Sequence, residues 1–447
     1  MNRSYLHNIV YFKSKSGANY SYSSLDNQIL FYPCNSIHNN YKKSDKKDNF
    51  VFFSPKTKEF YVPATDLLIL NITENCNLRC RYCAYSGAYK YERTHSSSVM
   101  KKEIALKAID LFLKREGNKP RRIGFYGGEP LLVWPQVKNI IDDTLKIDPS
   151  IIFSINTNLT LLTESMIQYF ISHNVVLYVS LDGDKTIHDL NRVDSKGNGT
   201  FDKIAANLLK LFERSPDWYK SSVAFLCTMS RPYPFKNLQT LYEGSVLFKQ
   251  PWNVTTIMPF DNTISNIDEI ICTNRNYRKN LDELAESFIN AAIQGKAIDH
   301  FGHWIFGREL KAIHLREMSP SNELYIHNCC IPGRNKLFVT CDGKFYPCEK
   351  CGDFMGLGDL SSGLNFSNAI NIANEYKKDC EKRCYRCVNA RFCNQCYLVA
   401  RKGSQLDFSR RESVCKNRIY VLKKVLYIYT SILEQNENAL DYLANEF

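Results

Sequence analysis

Residues 67–85 of the chain read LLILNITENCNLRCRYCAY, an apolar run followed directly by three closely spaced cysteines. The run from Leu67 to Thr73 is rich in Leu and Ile, which is typical of a buried strand. The cysteines follow as Cys76-x3-Cys80-x2-Cys83. Three thiolates on so short a loop can bind three irons of a four-iron cluster and leave the fourth iron open. A structural zinc site is the alternative, but closed zinc sites have four ligands, and no fourth Cys or His lies within ten residues.

The chain continues with short apolar runs that alternate with amphipathic stretches as far as about residue 300. This pattern is typical of repeated βα units around a parallel sheet. A further helix is predicted from about Asn276 to Ala292. Six consecutive βα units predict an α/β fold with a partial (β/α)6 barrel rather than a full eight-fold barrel. The predicted strands are Leu67–Thr73, Ile123–Tyr126, Ile151–Thr157, Val175–Leu181, Val223–Met229 and Val254–Pro259.

The pattern changes at both ends of the chain, which is long enough for about three domains. Residues 1–65 are predicted to form a short β-rich N-terminal extension of one or two hairpins, and residues 66–300 the partial barrel. The extension could bind a peptide by strand addition or could cover the barrel, and both interpretations stay open. The remaining predicted units are a bridging region at 301–325, a cysteine-rich domain at 326–417 and a C-terminal helix at 418–447.

The composition excludes several classes of protein. Apolar residues make up 44% of the 447 residues, which excludes a mostly disordered chain. Lys and Arg exceed Asp and Glu by 58 − 46 = 12, without a basic tail or an aromatic and basic stripe. We therefore expect no nucleic-acid partner, although a non-catalytic metal protein that binds nucleic acid is the alternative from another class. With no secretory signal and no run of roughly 18 apolar residues, we expect a cytoplasmic protein with no membrane partner. In that compartment the clustered members of the seventeen cysteines are expected to be metal ligands or redox groups rather than a disulfide framework.

Further polar motifs follow the other predicted strands. Gly127, Gly128 and Glu129 end the second strand, and Ser180 and Asp182 end the fourth. Paired glycines allow the backbone to approach a ligand closely, and a carboxylate can accept hydrogen bonds from an ammonium group. Because the carboxyl ends of parallel strands share one rim, we expect these residues to lie beside the three cysteines.

The motif Cys76-x3-Cys80-x-Tyr82-Cys83 resembles the signature of the radical S-adenosylmethionine (SAM) superfamily, and the resemblance covers about residues 66–260. It implies that the three cysteines hold a four-iron four-sulfur cluster whose open iron binds S-adenosylmethionine. Reductive cleavage of this cofactor would give a 5′-deoxyadenosyl radical that abstracts a substrate hydrogen. The resemblance implies that Gly127 to Glu129 hold the methionyl amine. The cofactor-binding residues that it implies are Tyr82, Gly127, Gly128, Glu129, Ser180 and Arg192.

Eleven further cysteines lie between Cys329 and Cys415. Their spacing resembles the SPASM extension, which carries two auxiliary four-iron four-sulfur clusters, so the resemblance implies three clusters in all. A zinc ribbon is the alternative, but its two cysteine pairs are usually about 15 to 20 residues apart. The ligands that the resemblance implies are Cys330, Cys348 and Cys396 for the first auxiliary cluster, and Cys384, Cys387, Cys393 and Cys415 for the second.

The cysteine pattern departs from the SPASM spacing in two ways. Only two residues separate Cys393 from Cys396, where the pattern has three, and Leu324 lies six residues before Cys330, where the pattern has a cysteine. The fourth ligand of the first auxiliary cluster therefore stays open, and Cys380 has no predicted role. The candidates are Cys329, Cys341, Cys351 or a position open to substrate. Three isolated cysteines are predicted to be small buried hydrophobic residues, namely Cys34, Cys227 and Cys272.

The segment at residues 76–97 most resembles maturases of ribosomally made peptides. This resemblance implies two partners, a precursor peptide made of leader and core and a reductant such as flavodoxin or ferredoxin. The implied function is hydrogen abstraction from the precursor to install a thioether, carbon–carbon or ether crosslink. The alternative within the same chemistry is an anaerobic sulfatase-maturating enzyme, which forms formylglycine. No catalytic base is assigned, although Asp182, His188 and Tyr85 lie in suitable motifs.

Overall fold

The computed structural model describes residues 8–32, 49–54, 66–87, 89, 92–115, 120–230, 234–256, 275–318, 320–326 and 330–446. Its strands are β1 (Ile9–Lys13), β2 (Asn19–Ser23), β3 (Gln28–Tyr32), β4 (Val51–Phe53), β5 (Leu67–Thr73), β6 (Arg122–Gly127), β7 (Ile152–Thr157), β8 (Val176–Ser180), β9 (Val223–Met229), β10 (Trp252–Thr256), β11 (Glu323–Tyr325), β12 (Lys336–Val339), β13 (Phe345–Tyr346), β14 (Gly358–Asp359), β15 (Gly363–Leu364), β16 (Arg401–Lys402) and β17 (Gln405–Leu406). Its helices are α1 (Lys102–Leu113), α2 (Trp134–Ile147), α3 (Glu164–Ser172), α4 (Lys185–Asn191), α5 (Phe201–Arg214), α6 (Pro216–Ser222), α7 (Phe235–Gly244), α8 (Arg275–Ile293), α9 (Gly302–His314), α10 (Ser367–Arg383) and α11 (Arg411–Leu433).

An eight-stranded sheet lies at the centre of the fold, with the order β10-β9-β8-β7-β6-β5-β12-β13. The first seven strands in this order are parallel, and β13 pairs antiparallel with β12. Strand β5 is buried at every residue after Leu67, as the apolar run predicts. Because β10 and β13 do not pair with each other within the described residues, the sheet is open. The predicted α/β fold with a partial barrel is therefore confirmed.

The six predicted strands are all present, and two further strands extend the sheet beyond β5. The end of the last predicted strand, from residue 257 to Pro259, lies outside the described residues. The prediction of six strands missed β12 and β13, which come from the cysteine-rich region. The buried run of β12 extends only from Leu337 to Val339. A run this short shows no periodicity in the sequence, so it does not indicate a strand.

The helices after the strands bury one face each, as their spacing predicts. In α2 the buried residues recur every three or four positions, from Val137 through Ile140 and Ile141 to Thr144. Helix α3 begins at a side-chain cap, since the Thr163 hydroxyl accepts a hydrogen bond from the Met166 N–H. The predicted helix from about Asn276 is α8. Among the described helices, none is long and apolar enough to cross a lipid bilayer.

The N-terminal segment forms an antiparallel sheet in the order β1-β2-β3 and packs against the C-terminal part of the chain. The Lys15 N–H donates to the Ser431 hydroxyl of α11 at 2.8 Å, and the Tyr22 ring lies 5.8 Å from the Phe392 ring. Arg391 donates to the carbonyl of Leu25 at 2.8 Å. These contacts place the sheet beside the cysteine-rich region.

The cysteine-rich region is more helical than the sequence predicts. Helix α10 was not predicted, because its buried residues from Ala369 to Cys380 are separated by many Asn, Lys and Glu side chains. Helix α11 begins at Arg411, before the predicted start at residue 418, and ends at Leu433. It therefore contains Cys415, which the sequence placed before the helix.

Candidate functional site

A cavity of about 500 Å³ opens at the carboxyl ends of the central strands. Loops after β5, β6, β7 and β8 form this end of the cavity, and its far wall includes Lys336 of β12 and Glu349. The structure brings together all nine residues that the sequence assigns to the first cluster and to the cofactor. They are Cys76, Cys80, Tyr82, Cys83, Gly127, Gly128, Glu129, Ser180 and Arg192.

The loop of the three cysteines is held by backbone hydrogen bonds. The Arg79 N–H donates to the Val193 carbonyl at 2.7 Å, and the Arg81 N–H donates to the Asn191 carbonyl at 2.9 Å. These bonds fix the loop against the segment that carries Arg192. Two sulfurs also accept backbone N–H groups at 3.4 Å, Cys76 from Leu78 and Cys83 from Tyr85. Such bonds stabilise a thiolate or a sulfur bound to iron.

The donor set of this loop fits a four-iron cluster. Cys76, Cys80 and Cys83 all line the same cavity. In the described part of the chain, no three Cys, His, Asp or Glu side chains converge closely enough to bind one metal ion. The ligands of a four-iron cluster bind different irons and need not converge on one point. Three thiols on one wall therefore suit a cluster better than a single zinc ion.

The Gly127-Gly128 pair packs against the cysteine loop itself. The Gly128 N–H donates to the Thr73 carbonyl at 2.8 Å, and the Glu129 N–H donates to the Asn75 carbonyl at 2.9 Å. A Cβ atom at Gly128 would lie 2.1 Å from the Asn75 oxygen, and Gly127 has a φ of +136°. The glycines thus allow strand β6 to touch the loop that begins at Asn75.

Glu129 is a buried carboxylate that connects two loops. It is 1% exposed, and its oxygens accept hydrogen bonds from the Thr157 hydroxyl and the Asn158 N–H, both at 2.7 Å, and from the Leu131 N–H at 3.0 Å. Burial raises the pKa of Glu129 above its ordinary value. Since each carboxylate oxygen has two acceptor sites, this carboxylate can still accept a bond from a ligand ammonium group.

Arg192 reaches the cavity through a hydrogen-bond network that fixes its guanidinium. Its Nη1 donates to the Tyr82 hydroxyl at 2.7 Å, and that hydroxyl donates to the Asp182 carboxylate. Asp182 is 2% exposed, and its other oxygen accepts the Thr228 N–H at 2.9 Å. The Nε of Arg192 is buried and has no hydrogen-bond partner among the described residues. An orphaned donor on a fixed guanidinium fits a carboxylate ligand.

Three residues that were considered as a base occupy different places. His188 is fully buried, with its Nδ1 accepting the Asp182 N–H at 3.3 Å and its Nε2 bonded to the Thr200 hydroxyl at 3.1 Å. Burial lowers the pKa of His188 to about 3, so this imidazole is neutral. Asp182 lies behind Tyr82, whereas Tyr85 lines the cavity. His188 therefore supports the network rather than facing the cavity.

Sequence reasoning assigned no role to several polar residues on the cavity wall. Asn158, which ends the third predicted strand and is expected on the same rim as the cysteines, donates to the Cys76 sulfur at 3.9 Å. On the far wall the Arg93 guanidinium donates to the Glu349 carbonyl at 2.5 Å and lies 4.6 Å from the Phe338 ring. The Lys336 ammonium lies 3.4 Å from the Glu349 carboxylate. These far-wall contacts join distant parts of the sequence, so no local pattern indicates them.

The C-terminal cysteines form two groups. Burial, and then the nearby Cys330 and Cys348, raise the pKa of the Cys396 thiol, and the sequence assigns these three residues to the first set. Burial, and then Cys384, Cys393 and Cys415, raise the pKa of the Cys387 thiol, and the sequence assigns these four residues to the second set. The first group adjoins the far wall of the cavity through Glu349, which follows Cys348. Of the isolated cysteines, Cys227 is buried, as predicted, while Cys34 and Cys272 lie outside the described residues.

Comparisons with known proteins agree with this geometry. The sequence pattern of the Radical SAM superfamily matches residues 70–229. A cysteine-type anaerobic sulfatase-maturating enzyme of Clostridium novyi is 26% identical over 398 residues, which cover 85% of this chain and 96% of the relative. The radical SAM cyclopropyl synthase TigE of Paramaledivibacter caminithermalis is 24% identical over 400 residues, which cover 84% of this chain and 76% of the relative.

A solved structure shares the fold. Native anSMEcpe, with bound AdoMet and the Cp18Cys peptide, superposes with a TM-score of 0.59 at 22% identity. The superposition covers 86% of this chain and 99% of that protein. The fold, the cysteine loop and the matched sequence pattern agree with one another. The chain therefore carries a radical SAM domain at residues 70–229 and is an enzyme.

Proposed function

We propose that this enzyme is a maturase that abstracts hydrogen from a ribosomally made precursor peptide and installs a thioether, carbon–carbon or ether crosslink. The observation that carries the proposal is the shared cavity. Its near wall holds Cys76, Cys80 and Cys83, and its far wall holds Glu349 and Lys350, between Cys348 and Cys351. A peptide side chain in this cavity of about 500 Å³ can therefore lie between the first three cysteines and the segment that separates Cys348 from Cys351.

The near wall suits S-adenosylmethionine beside a four-iron cluster. Cys76, Cys80 and Cys83 would hold the cluster, Glu129 would bind the methionyl amine, and Arg192 would bind the carboxylate. Tyr82 would hold Arg192 in place, while Ser180 would lie at the ribose. When bound, the cluster and S-adenosylmethionine would supply one-electron chemistry that removes a hydrogen atom from the substrate. Two auxiliary clusters would occupy the C-terminal cysteine groups, and a flavodoxin or ferredoxin would supply electrons.

The names of the relatives support a peptide substrate. One relative is called a cyclopropyl synthase, and the solved neighbour holds a peptide together with AdoMet. The N-terminal sheet offers a place for the leader of a precursor, because β3 is an edge strand and its Phe31 is 56% exposed. An extended leader could add a strand along β3 by main-chain hydrogen bonds.

Formylglycine formation is the second candidate function. The similarity to the Clostridium novyi sulfatase-maturating enzyme favours it, because that similarity extends over 96% of the relative. Both functions begin with hydrogen abstraction, so the products distinguish them. A crosslinked peptide has lost two hydrogens and has no aldehyde, whereas formylglycine is an aldehyde that a hydrazine probe captures.

The experiment offers two peptides to the anaerobically reconstituted full chain with S-adenosylmethionine and a strong reductant. One is encoded by a short reading frame beside the gene, and the other is a cysteine-containing sulfatase peptide. We expect the first to lose two hydrogens per crosslink without reacting with hydrazine. An aldehyde on the second peptide would instead establish formylglycine formation. Unchanged masses for both peptides would contradict the proposal.

Replacement of Arg192 by Leu is expected to weaken binding of S-adenosylmethionine. The loss removes a charged hydrogen bond worth about 1.5–3 kcal/mol, or about 10-fold to 100-fold in affinity. Arg192→Lys keeps the positive charge but lacks the planar guanidinium group. Its affinity for S-adenosylmethionine is therefore expected to lie between those of the unmodified chain and Arg192→Leu. Anaerobic calorimetry on the iron-loaded chain measures these affinities. Equal affinity of Arg192→Leu and the unmodified chain would show that another residue binds the carboxylate.

Gly128→Ala is expected to slow cofactor cleavage by about 100-fold, because a small displacement at a reacting centre can cost that much. The added Cβ would meet the Asn75 oxygen at 2.1 Å and displace the loop before Cys76. Gly244→Ala is the matched control, since no described atom lies within 4 Å of its Cβ position. The rate of 5′-deoxyadenosine formation is the measurement. A normal rate for Gly128→Ala would mean that the loop can move without loss.

A further inference from the structure

The first C-terminal cysteine group has a gap in its ligand set that the structure helps to close. This inference rests on the proposed function, which places an auxiliary cluster at Cys330, Cys348 and Cys396. Leu324 stands at the position where the SPASM spacing has a fourth cysteine. It lies within β11 and pairs with Phe52 of β4. The usual fourth ligand is therefore absent in this chain, and another group must replace it or one iron stays open.

Cys341 is engaged away from this group. Its thiol donates to the Asn71 carbonyl at 2.9 Å, so it is held against β5. The charged groups that act on it are Glu74, Asp342 and Arg93. Cys329 lies outside the described residues. Among the described candidates, Cys341 therefore contacts β5 rather than the first C-terminal cysteine group.

Cys351 lies within the group. Its sulfur is 3.4 Å from the sulfur of Cys348, which is contact between free thiols, since a disulfide bond is about 2.05 Å long. A turn brings the two together, because the Cys351 N–H donates to the Cys348 carbonyl at 3.3 Å. Cys351 is 4% exposed, and its contact with Cys348, its burial and then the nearby Cys396 and Cys330 hold the pKa of its thiol well above the ordinary value. Cys351 thus contacts one predicted ligand of the first group and lies near the other two.

We propose that Cys351 is the fourth protein ligand of the first auxiliary cluster, and that this cluster has no iron open to substrate. Each of the four thiols gives its proton to solvent and its sulfur to one iron. The Cys348-x2-Cys351 pair replaces the cysteine that is missing at position 324.

Full ligation restricts what this cluster does in the reaction. Hydrogen abstraction takes one hydrogen atom from the peptide, and closure of the crosslink releases one proton and one electron. A cluster with four cysteine ligands can accept that electron without binding the peptide. The peptide is then held by the cavity wall rather than by iron.

The test uses the full chain in which Cys76, Cys80 and Cys83 are replaced by Ala, so that only auxiliary clusters remain. Each further variant changes one cysteine to Ala, at Cys351, Cys341 or Cys329. Iron per chain and Mössbauer and EPR spectra are measured after anaerobic reconstitution. We expect the parent to hold about eight irons, as two four-iron clusters do. Cys351→Ala should lose between one and four of them, with a three-iron signal or the loss of one cluster's spectrum.

The matched control is Cys341→Ala, which should keep the iron content and spectra of the parent. The four irons at the second cysteine group report that Cys351→Ala is folded. Unchanged iron and spectra in Cys351→Ala would overturn the inference, as would a loss in Cys329→Ala alone. If the parent binds no iron, both this inference and the auxiliary clusters of the proposed function are wrong. If the parent binds eight irons, the auxiliary clusters are present, and the result for Cys351→Ala tests this inference alone.

Discussion

Replacing Cys76, Cys80 and Cys83 together with Ala will abolish the conversion of S-adenosylmethionine to 5′-deoxyadenosine. The three thiols are the cysteine donors on the near wall of the cavity, and the backbone N–H groups of Leu78 and Tyr85 already point at two of them. Without these thiols no iron can lie beside Glu129 and Arg192. The variant should retain about eight of about twelve irons, since two four-iron clusters remain elsewhere.

The measurement pairs product analysis with iron determination on the same anaerobic sample. Cys227→Ala is the control, because Cys227 also borders the cavity but lies in β9 and is 1% exposed. It should keep both the cleavage reaction and the full iron content. Cleavage that persists in the triple variant would show that the radical site lies elsewhere in the chain. Loss of all twelve irons would indicate that the three sites do not assemble independently.

The sequence predicts the barrel well because each of its strands is a local apolar run. Every residue of β5 after Leu67 is buried, so the strand reads as an apolar run interrupted only by Asn71 and Thr73. The convergence of the residues that the sequence assigns to the cofactor could also be predicted, since parallel strands bring the ends of β5, β6 and β8 to one rim. Strand β12 could not, because its partner β5 lies far away in sequence and its apolar run is short.

The C-terminal cysteines show where sequence spacing stops being informative. Spacing assigned Cys330, Cys348 and Cys396 to one group, and in the structure Cys330 and Cys348 lie near enough to Cys396 to add to the rise that burial causes in its pKa. It could not rank Cys341 against Cys351, because both lie within ten residues of Cys348. The difference between them arises from tertiary structure. Cys341 follows the end of strand β12 and contacts the Asn71 carbonyl of β5. A turn instead places Cys351 beside Cys348.

The second cysteine group depends on a buried guanidinium that no sequence pattern indicates. Arg411 is fully buried at the start of α11, and its Nη1 donates to the Asp379 carboxylate. Its Nε donates to the Gln395 side chain at 2.7 Å, and its Nη2 lies 3.9 Å from the Cys384 sulfur as a donor. The guanidinium also lies 4.2 Å from the centre of the Tyr376 ring. One side chain therefore connects α10, α11 and Cys384, a proposed cluster ligand.

Arg411→Leu is expected to destabilise the folded chain by about 3 kcal/mol, the low end of the range for breaking a buried ion pair. The carboxylate left behind is Asp379, which is 8% exposed and keeps the partly exposed Arg383 as an ion-pair partner. We also expect the variant to lose the irons at Cys384, Cys387, Cys393 and Cys415. Anaerobic denaturant titration followed by circular dichroism measures the stability, and iron analysis measures the cluster.

Arg383→Leu provides the matched control, because Arg383 pairs with the same carboxylate at 2.6 Å while its side chain is 32% exposed. Its loss should cost at most about 1 kcal/mol, as for an exposed ion pair, and should leave the irons in place. The double variant Arg411→Leu with Asp379→Leu should recover part of the lost stability, since the buried carboxylate is then removed together with its buried partner. If Arg411→Leu and Arg383→Leu lower the free energy of unfolding equally and both variants keep their irons, the buried pair does not hold the second cysteine group together.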